Sequence, residues 1–297
     1  PSSSYATENQ RFHAPNSLED LATLRAAHPS AHLLAGGTDL GILTSKERQR
    51  LPEIISTVHV EELLEITETD DYLELGAAVT YTRALPYIKR LYPSLATLIT
   101  RIGSRQIRNV GTFGGNIGTA SPIGDTSPCL IALDATLILH SLSGERSVPL
   151  EDFFIGYRET CLGPSEFIKA IHIPKLSSGQ AFRAYKISKR YDQDISSVIG
   201  AYRVGILDNK VASIRVAFGG MAATPKRASA SDATGACARV ATEAIETPAA
   251  GTDWLVVRVR LPTCPTGVLY RRSAAVAGPP RSLAALFAGR DCFAGGK

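Results

Sequence analysis

Two short glycine-bearing stretches are the parts of this 297-residue sequence whose residue types and spacing could do chemistry. In LLAGGTDLGI, Leu33 to Ile42, an apolar run stops at Gly36 and Gly37, passes through Thr38 and Asp39, and resumes. In NVGTFGGNIG, Asn109 to Gly118, a second pair, Gly114 and Gly115, sits between Thr112 and Asn116. A glycine pair at a strand end lets the chain take positive φ and lets another group approach the main chain closely. Successive N–H groups can then converge on an anion. One such pair is a common turn signal. Two, each flanked by hydroxyl or amide side chains, suit a ligand with two phosphates. Neither stretch matches the commoner phosphate loops. No G-x-G-x-x-G follows a strand. Gly36 to Gly41 has P-loop spacing but runs into Ile42 where that loop needs Lys.

Other chemistries find less support. The six histidines, His13, His28, His32, His59, His140 and His172, are scattered, and no HExxH is present. The five cysteines, Cys129, Cys161, Cys237, Cys264 and Cys292, include no CxxC. The sequence therefore predicts no metal on this chain, no disulfide scaffold, and a cytoplasmic protein with incidental thiols. A net charge of +4, without a Lys/Arg stripe interleaved with aromatics, argues against a nucleic-acid partner. No apolar run approaches the roughly 20 residues that span a bilayer, so no membrane is expected. The start, PSSSYATENQRF, has neither the charged nor the apolar region of a signal peptide. It also lacks an initiator Met and reads as a fragment or a processed piece.

The elements that must position the two stretches are partly legible. Ser17, followed by Leu18, Leu21 and Leu24, predicts a short amphipathic helix that ends before Pro29. HLLA then reads as a buried strand running into Gly36. Strands are also predicted at Glu53–Val58, Asp71–Val79 and Glu166–Pro174, and helices at Thr82–Arg90 and Ser94–Arg101. PCLIALDATLILHS reads as a helix turning into a strand near Ala135. This mixture of helices and strands over the first 175 or so residues implies an α/β or α+β domain. From about Gln180, AFRAYKIS, SSVIGAYRVGIL and KVASIRVAFGG read as a small antiparallel sheet, with a hairpin turn at Asp208-Asn209. After Arg227 the composition shifts to Ala, Arg, Gly and Pro, and three of the five cysteines fall there.

At this point the residues carry a resemblance. LLAGGTDLGI, IGSRQIRNVGTFGGNIGTASPIGDTSP (Ile102 to Pro128) and YKISKRYDQDIS (Tyr185 to Ser196) together resemble the FAD-binding subunit of the molybdenum hydroxylases. Within that family they resemble the small subunit of bacterial xanthine dehydrogenase, over roughly Phe12 to Arg227. The resemblance implies an α+β fold: an FAD-binding domain of two α+β subdomains at 1–178, then a smaller, mainly antiparallel β C-terminal domain starting at 179–228. The rest, 229–297, departs from the family and reads as a disordered tail or as text from a shifted reading frame. Carried over position by position, Leu33, Leu34, Ala35, Gly36, Gly37, Thr38, Asp39 and Leu40 match the first FAD loop, and Thr112, Phe113, Gly114, Gly115 and Asn116 the second. Ile102, Asp125, Ile168 and Lys186 match further cofactor contacts. From the residues alone, Ile102 and Ile168 read as core and Lys186 as a strand-surface charge. KRYDQDIS, with Asp192 and Asp194, matches a stretch close to the flavin ring.

The function implied is electron transfer in a xanthine dehydrogenase. Electrons from a molybdenum-binding large subunit and an iron–sulfur domain, both outside this chain, would pass through FAD to NAD+. The flavin performs the chemistry, so no catalytic acid or base is assigned. The flavoprotein subunit of another molybdenum hydroxylase, such as carbon monoxide dehydrogenase, is the near alternative, and a non-catalytic remnant of such a subunit is the other. Gly115→Val is expected to weaken FAD binding severely while leaving most of the fold intact, because the added methyls would block the phosphate's approach to the backbone and a positive φ, if required, would become costly.

Overall fold

The computed structural model of the chain describes residues 2–208 and 210–229. Residues 2–204 and 215–229 pack as one unit. The Ala/Arg/Gly/Pro-rich tail, and with it the expectation of disorder or a shifted frame, lies outside the described residues, as does Asn209.

The first layer is a four-stranded sheet of β1 (Ser3–Ala6), β2 (Arg11–Ala14), β3 (His32–Leu34) and β4 (Glu53–Ser56), in the order β1-β2-β4-β3. β4 runs parallel to both β2 and β3, and β1 runs antiparallel to β2. Parallel neighbours need a crossover, and α1 (Leu18–Ala27) supplies the one between β2 and β3. Its start follows from the sequence: the Ser17 side chain accepts a hydrogen bond from the Asp20 N–H at 3.1 Å, a cap that contributes about 1 kcal/mol. Leu21 of this helix packs with Ile55, Leu63 and Phe167 in a small core. The short helix α2 (Leu40–Ser45) follows β3 directly.

The second layer is a five-stranded sheet in the order β5-β6-β11-β7-β8. Its strands are β5 (Ile66–Glu68), β6 (Tyr72–Gly76), β7 (Thr136–Ser141), β8 (Gly144–Pro149) and β11 (Phe167–Pro174), and every pairing is antiparallel. Between them run α3 (Tyr81–Leu91), α4 (Pro93–Ile99), α5 (Arg105–Val110), α6 (Phe113–Gly118), α7 (Ser127–Ala132) and α8 (Leu150–Phe153). A two-stranded ribbon of β9 (Phe154–Gly156) and β10 (Glu159–Thr160) follows. Leu73, Leu75, Ile88, Tyr92, Phe113 and Leu130 belong to the larger core and are fully buried. The last sheet orders β12 (Gln180–Ile187), β13 (Val198–Leu207), β14 (Lys210–Gly219) and β15 (Lys226–Arg227) in sequence. Mixed layers followed by an antiparallel sheet are the α+β architecture expected from the sequence.

Two differences bear on function. The strand expected over Asp71–Val79 stops at Gly76: the Ala77 N–H still reaches the Lys169 carbonyl of β11, but the Ala78 N–H turns away to the Leu63 carbonyl and the Val79 N–H closes a turn on Gly76. And what reads as a second glycine loop is a helix: α6 spans Phe113–Gly118, with Thr112 as its N-cap accepting from the Gly115 N–H at 3.0 Å.

Candidate functional site

The first glycine segment is built by the β3–α2 connection. β3 ends at Leu34, and Gly37 takes φ +67°, a left-handed conformation that disfavours any side chain. Gly36 is required for a different reason. A Cβ on it would lie 1.8 Å from the Val110 carbonyl oxygen and 3.0 Å from the Gly111 nitrogen. The first glycine segment therefore lies directly against the backbone that leads into α6, and the two stretches are brought together by that contact.

They border one cavity of about 870 Å³, within the usual range for small-molecule sites. Of the sequence-predicted residues, Leu33, Ala35, Gly36, Gly37, Thr38, Asp39 and Leu40 line it, as do Thr112, Gly114, Gly115 and Asn116 and the four single positions Ile102, Asp125, Ile168 and Lys186. Leu34 and Phe113 do not. The Leu34 carbonyl accepts from the Thr57 N–H, and Phe113 is fully buried, packed edge-on against Tyr81.

The two stretches offer different chemistry. No hydrogen bond within the chain engages the N–H groups of Gly36, Gly37, Thr38 or Asp39, among the described residues. Gly36, Gly37 and Thr38 are half-buried and Asp39 is exposed, so the four donors stand in succession at the cavity edge, an array suited to an anionic acceptor from outside the chain. In α6 the donors are already used. The N–H of Phe113 goes to Val79, that of Gly114 to Ala77, that of Gly115 to the Thr112 hydroxyl, and that of Asn116 to the Thr112 carbonyl. This side contributes polar side chains instead. Asn116 Oδ1 accepts from the Thr126 hydroxyl at 2.6 Å, which leaves its NH2 group as a donor. Gly115 lies inside the helix without positive φ. A side chain there would meet the cap, since its Cβ falls 2.8 Å from the Thr112 hydroxyl.

One wall is an ion pair. Lys186 Nζ donates to Asp125 Oδ2 at 2.6 Å, with side chains only 2% and 10% exposed. The Ser196 hydroxyl donates to the other carboxylate oxygen of Asp125. Lys186 is the penultimate residue of β12 and Ser196 lies near the far end of the loop that leads to β13, so Asp125 ties the loop to the cavity. Arg101 clamps the same loop: its guanidinium donates to the Lys186 carbonyl at 2.8 Å, the Tyr191 carbonyl at 3.0 Å and the Ser188 hydroxyl at 3.2 Å. It also lies 5.1 Å over the Tyr191 ring. Of the two acids in this loop, Asp194 lines the cavity and Asp192 does not. The Arg190 N–H and guanidinium hold the Asp194 carboxyl below its usual range, so its charge is already paired. Asp192 accepts from the Gln193 N–H and supports a left-handed turn at that residue, φ 49°.

Arg25 is one of several cavity residues, with His32, Tyr81 and Arg158, that sequence reasoning missed. It projects from α1, its Nη1 donates to the Ala31 carbonyl at 2.8 Å, and its buried Nε has no partner. Burial lowers its pKa from the usual arginine value, yet an arginine stays charged. Its only sequence signal is a position eight residues before Leu33, on a helix whose packing face is set by leucines. Tyr81 also lines the cavity, and burial pushes its phenol well up, so it remains a neutral hydroxyl. The cavity thus offers donors, the cations of Arg25, Arg158 and Lys186, apolar walls and the imidazole of His32.

Comparison with known proteins shows the family. Residues 6–176 match the family model described as the FAD binding domain in molybdopterin dehydrogenase. Residues 183–250 match the CO dehydrogenase flavoprotein C-terminal domain. The chain is 34% identical over 231 residues to xanthine dehydrogenase of Emericella nidulans, covering 73% of this chain and 17% of that protein. It is 34% identical over 220 residues to an Escherichia coli K12 protein named for the FAD-binding subunit of a xanthine dehydrogenase, covering 73% of this chain and 75% of that one. The chain therefore spans less than a fifth of the eukaryotic xanthine dehydrogenase but most of the bacterial subunit. Among solved structures, a carbon monoxide dehydrogenase from Hydrogenophaga pseudoflava aligns with TM-score 0.71 at 28% identity, covering 76% of this chain and 80% of that one. Quinoline 2-oxidoreductase from Pseudomonas putida 86 aligns with TM-score 0.68 at 26% identity, covering 74% and 77%.

Proposed function

This chain belongs to the family of FAD-binding domains of molybdopterin dehydrogenases, and from that premise we propose that it is the FAD-carrying electron-transfer component of a xanthine dehydrogenase. The observation that carries the assignment is the cavity where the unpaired N–H groups of Gly36 to Asp39 meet the unpartnered Nε of Arg25. A pyrophosphate supplies the acceptors these donors lack, and the isoalloxazine and adenine rings match the apolar walls of Leu33, Leu40, Ile102 and Ile168. The residues present fit FAD on both counts. When bound, FAD exchanges electrons singly with a metal relay and pairwise with a nicotinamide.

The chain's own part is to bind, orient and shield. Gly36 to Asp39 and Arg25 hold the phosphates. Asn116 and Thr112 stand on the α6 side, and Asp125 and Lys186 keep the 188–196 loop against the cofactor. Leu34 and Phe113 support the cofactor indirectly through packing. In this reading the electrons would come from a purine oxidised at a molybdenum centre that a partner chain would hold, would reach FAD through iron–sulfur clusters outside this chain, and would pass to NAD+ in the cytoplasm. The FAD-binding domain occupies 1–178 and the C-terminal domain begins at 179. The break between the two family matches, 176 to 183, supports that boundary.

The likeness in fold to carbon monoxide dehydrogenase supports one other reading, the flavoprotein subunit of a hydroxylase with a different substrate. Anaerobic mixing separates the readings. The purified chain should be yellow, acid precipitation should release its flavin into the supernatant, and NADH should bleach it. Xanthine alone should not bleach it until the partner subunits are added. A colourless protein would overturn the assignment, and bleaching by xanthine without partners would overturn the electron-transfer role. Restoration of NADH formation by carbon monoxide dehydrogenase substrate, and not by xanthine, would favour the second reading.

Arg25→Met is expected to weaken FAD binding roughly tenfold, the scale of one hydrogen bond to a charged group, while apo-protein stability changes little. Its guanidinium is already desolvated and half-satisfied, so removing it relieves a cost in the empty cavity. Equilibrium FAD titration beside urea unfolding checks this. An unchanged FAD affinity would remove Arg25 from the site.

A further inference from the structure

The histidines that look scattered in the sequence are not all scattered in space. His13 lies in β2, Glu53 opens the parallel strand β4, and His28 caps the C-terminus of α1. β2 and β4 pair Arg11 with Glu53 and His13 with Ile55, which puts His13 and Glu53 on one sheet face. Glu53 Oε1 is 3.4 Å from His13 Nε2 and 3.0 Å from His28 Nδ1. One potential ligand atom from each residue lies within 4.8 Å of the other two. The two imidazole rings stack with centroids 4.9 Å apart, so both converge on one carboxylate oxygen. None of the three residues borders the cofactor cavity.

We propose that His13, His28 and Glu53 bind one divalent transition-metal ion of the zinc class, at a site independent of the flavin. Two imidazoles and a carboxylate are the donor set of zinc and its neighbours, with water in the fourth position. Zinc bonds of about 2.0–2.1 Å place tetrahedral ligands roughly 3.3 Å apart. The two separations to Glu53 already match, so closing the site requires the two nitrogens to approach each other. The surroundings support the assignment. His13 Nδ1 lies 2.9 Å from the Ser4 hydroxyl, and a metal-bound imidazole characteristically donates its other ring N–H to such a partner. The Ser4 hydroxyl can accept from Nδ1–H, and that tautomer leaves the Nε2 lone pair free to ligate the ion. The Arg11 guanidinium, 3.8 Å from Glu53 Oε1, is 62% exposed and free to swing into solvent. The 25% and 16% exposure of the His28 and Glu53 side chains leaves an entry path and room for water.

Zinc titration of the chelator-treated full chain against a fluorescent zinc chelator tests the proposal. One equivalent of Zn2+ should bind, and thermal unfolding should move to higher temperature, because a ligand held only by the folded state stabilises it. Glu53→Gln and His28→Gln should each abolish binding, and Ser4→Ala should weaken it about tenfold, as loss of a supporting partner does. His59→Gln, at an exposed histidine outside the cluster, should bind like the parent. His28→Gln keeps the test open if changes at the more buried His13 prevent folding. The flavin absorbance should be the same in every folded variant. No binding to the parent chain at about 100 µM Zn2+, where even a weak site would shift the transition, would overturn the proposal. So would binding that survives both Glu53→Gln and His28→Gln, and the histidines and Glu53 would then be ion pairs only.

Discussion

Asp125→Ala is expected to destabilise the protein by about 3 kcal/mol, the lower end for breaking a buried ion pair, and to release the flavin. The reason is the state in which it leaves Lys186. That side chain is 2% exposed and its ammonium donates to Asp125 at 2.6 Å. Without the carboxylate a buried charge stands uncompensated, and its desolvation is no longer offset. The pair borders the cavity, so water can reach part of it, which argues for the lower end. The Ser196 hydroxyl loses its acceptor at the same time, and the 188–196 loop then rests on the Arg101 contacts alone. Asp125→Ala with Lys186→Met removes both charges and should recover most of the stability without recovering FAD affinity. Denaturant unfolding of the single and double variants, alongside FAD titration, reads both quantities. A loss below about 1 kcal/mol in the single variant, the scale of an exposed pair, would mean that the ion pair is solvated. Native-like FAD binding by the double variant would mean that it plays no part in the site.

Gly36→Ala should be the most damaging single methyl group in the molecule's cofactor region. The added carbon would lie 1.8 Å from the Val110 carbonyl oxygen and 2.5 Å from its carbon, so backbone must move and no side chain can yield in its place. Overpacking of this kind typically costs about 1–3 kcal/mol and sometimes more. The relief available is to part the first glycine segment from the approach to α6, which opens the cavity between them. FAD affinity should fall by at least about a hundredfold, the equivalent of roughly 3 kcal/mol. Two neighbours calibrate the result. Gly37→Ala keeps the space but forces a side chain to φ +67°, a cost of about 1–2 kcal/mol. Gly41→Ala meets nothing within 4 Å and has ordinary φ, so it should leave both stability and affinity nearly unchanged. The order Gly36, Gly37, Gly41 in soluble yield, unfolding midpoint and FAD affinity is the expected outcome. A Gly36→Ala protein that binds FAD like the parent would show that the two segments need not touch.

Much that was local proved legible from the sequence. Ser17 caps α1 because a hydroxyl three residues before a free N–H satisfies it whatever the tertiary context. The alternating residues of β6 declare a strand through the two-residue period of a half-buried sheet, and the short apolar run of β11, bounded by Pro174, declares one that is buried on both faces. The first glycine pair announced a special backbone, and Gly37 has it. The same reasoning applied to Gly115 missed the helix, because Thr112 caps α6 and makes a glycine-rich hexapeptide helical against its propensity.

What only the tertiary structure decided are the meetings of residues far apart in the chain. Gly36 needs to be glycine because Val110 stands against it. Arg25 belongs to the cavity because α1 crosses between β2 and β3. Asp125 meets Lys186 across 61 residues and Ser196 across 71. His13, His28 and Glu53 converge because parallel pairing of β2 with β4 aligns residues some forty positions apart. Hydrophobic period and capping act over one or two turns of chain, so a sequence displays them directly. Charge pairing and close backbone approach depend on which surfaces the whole core brings together, and no local pattern encodes that.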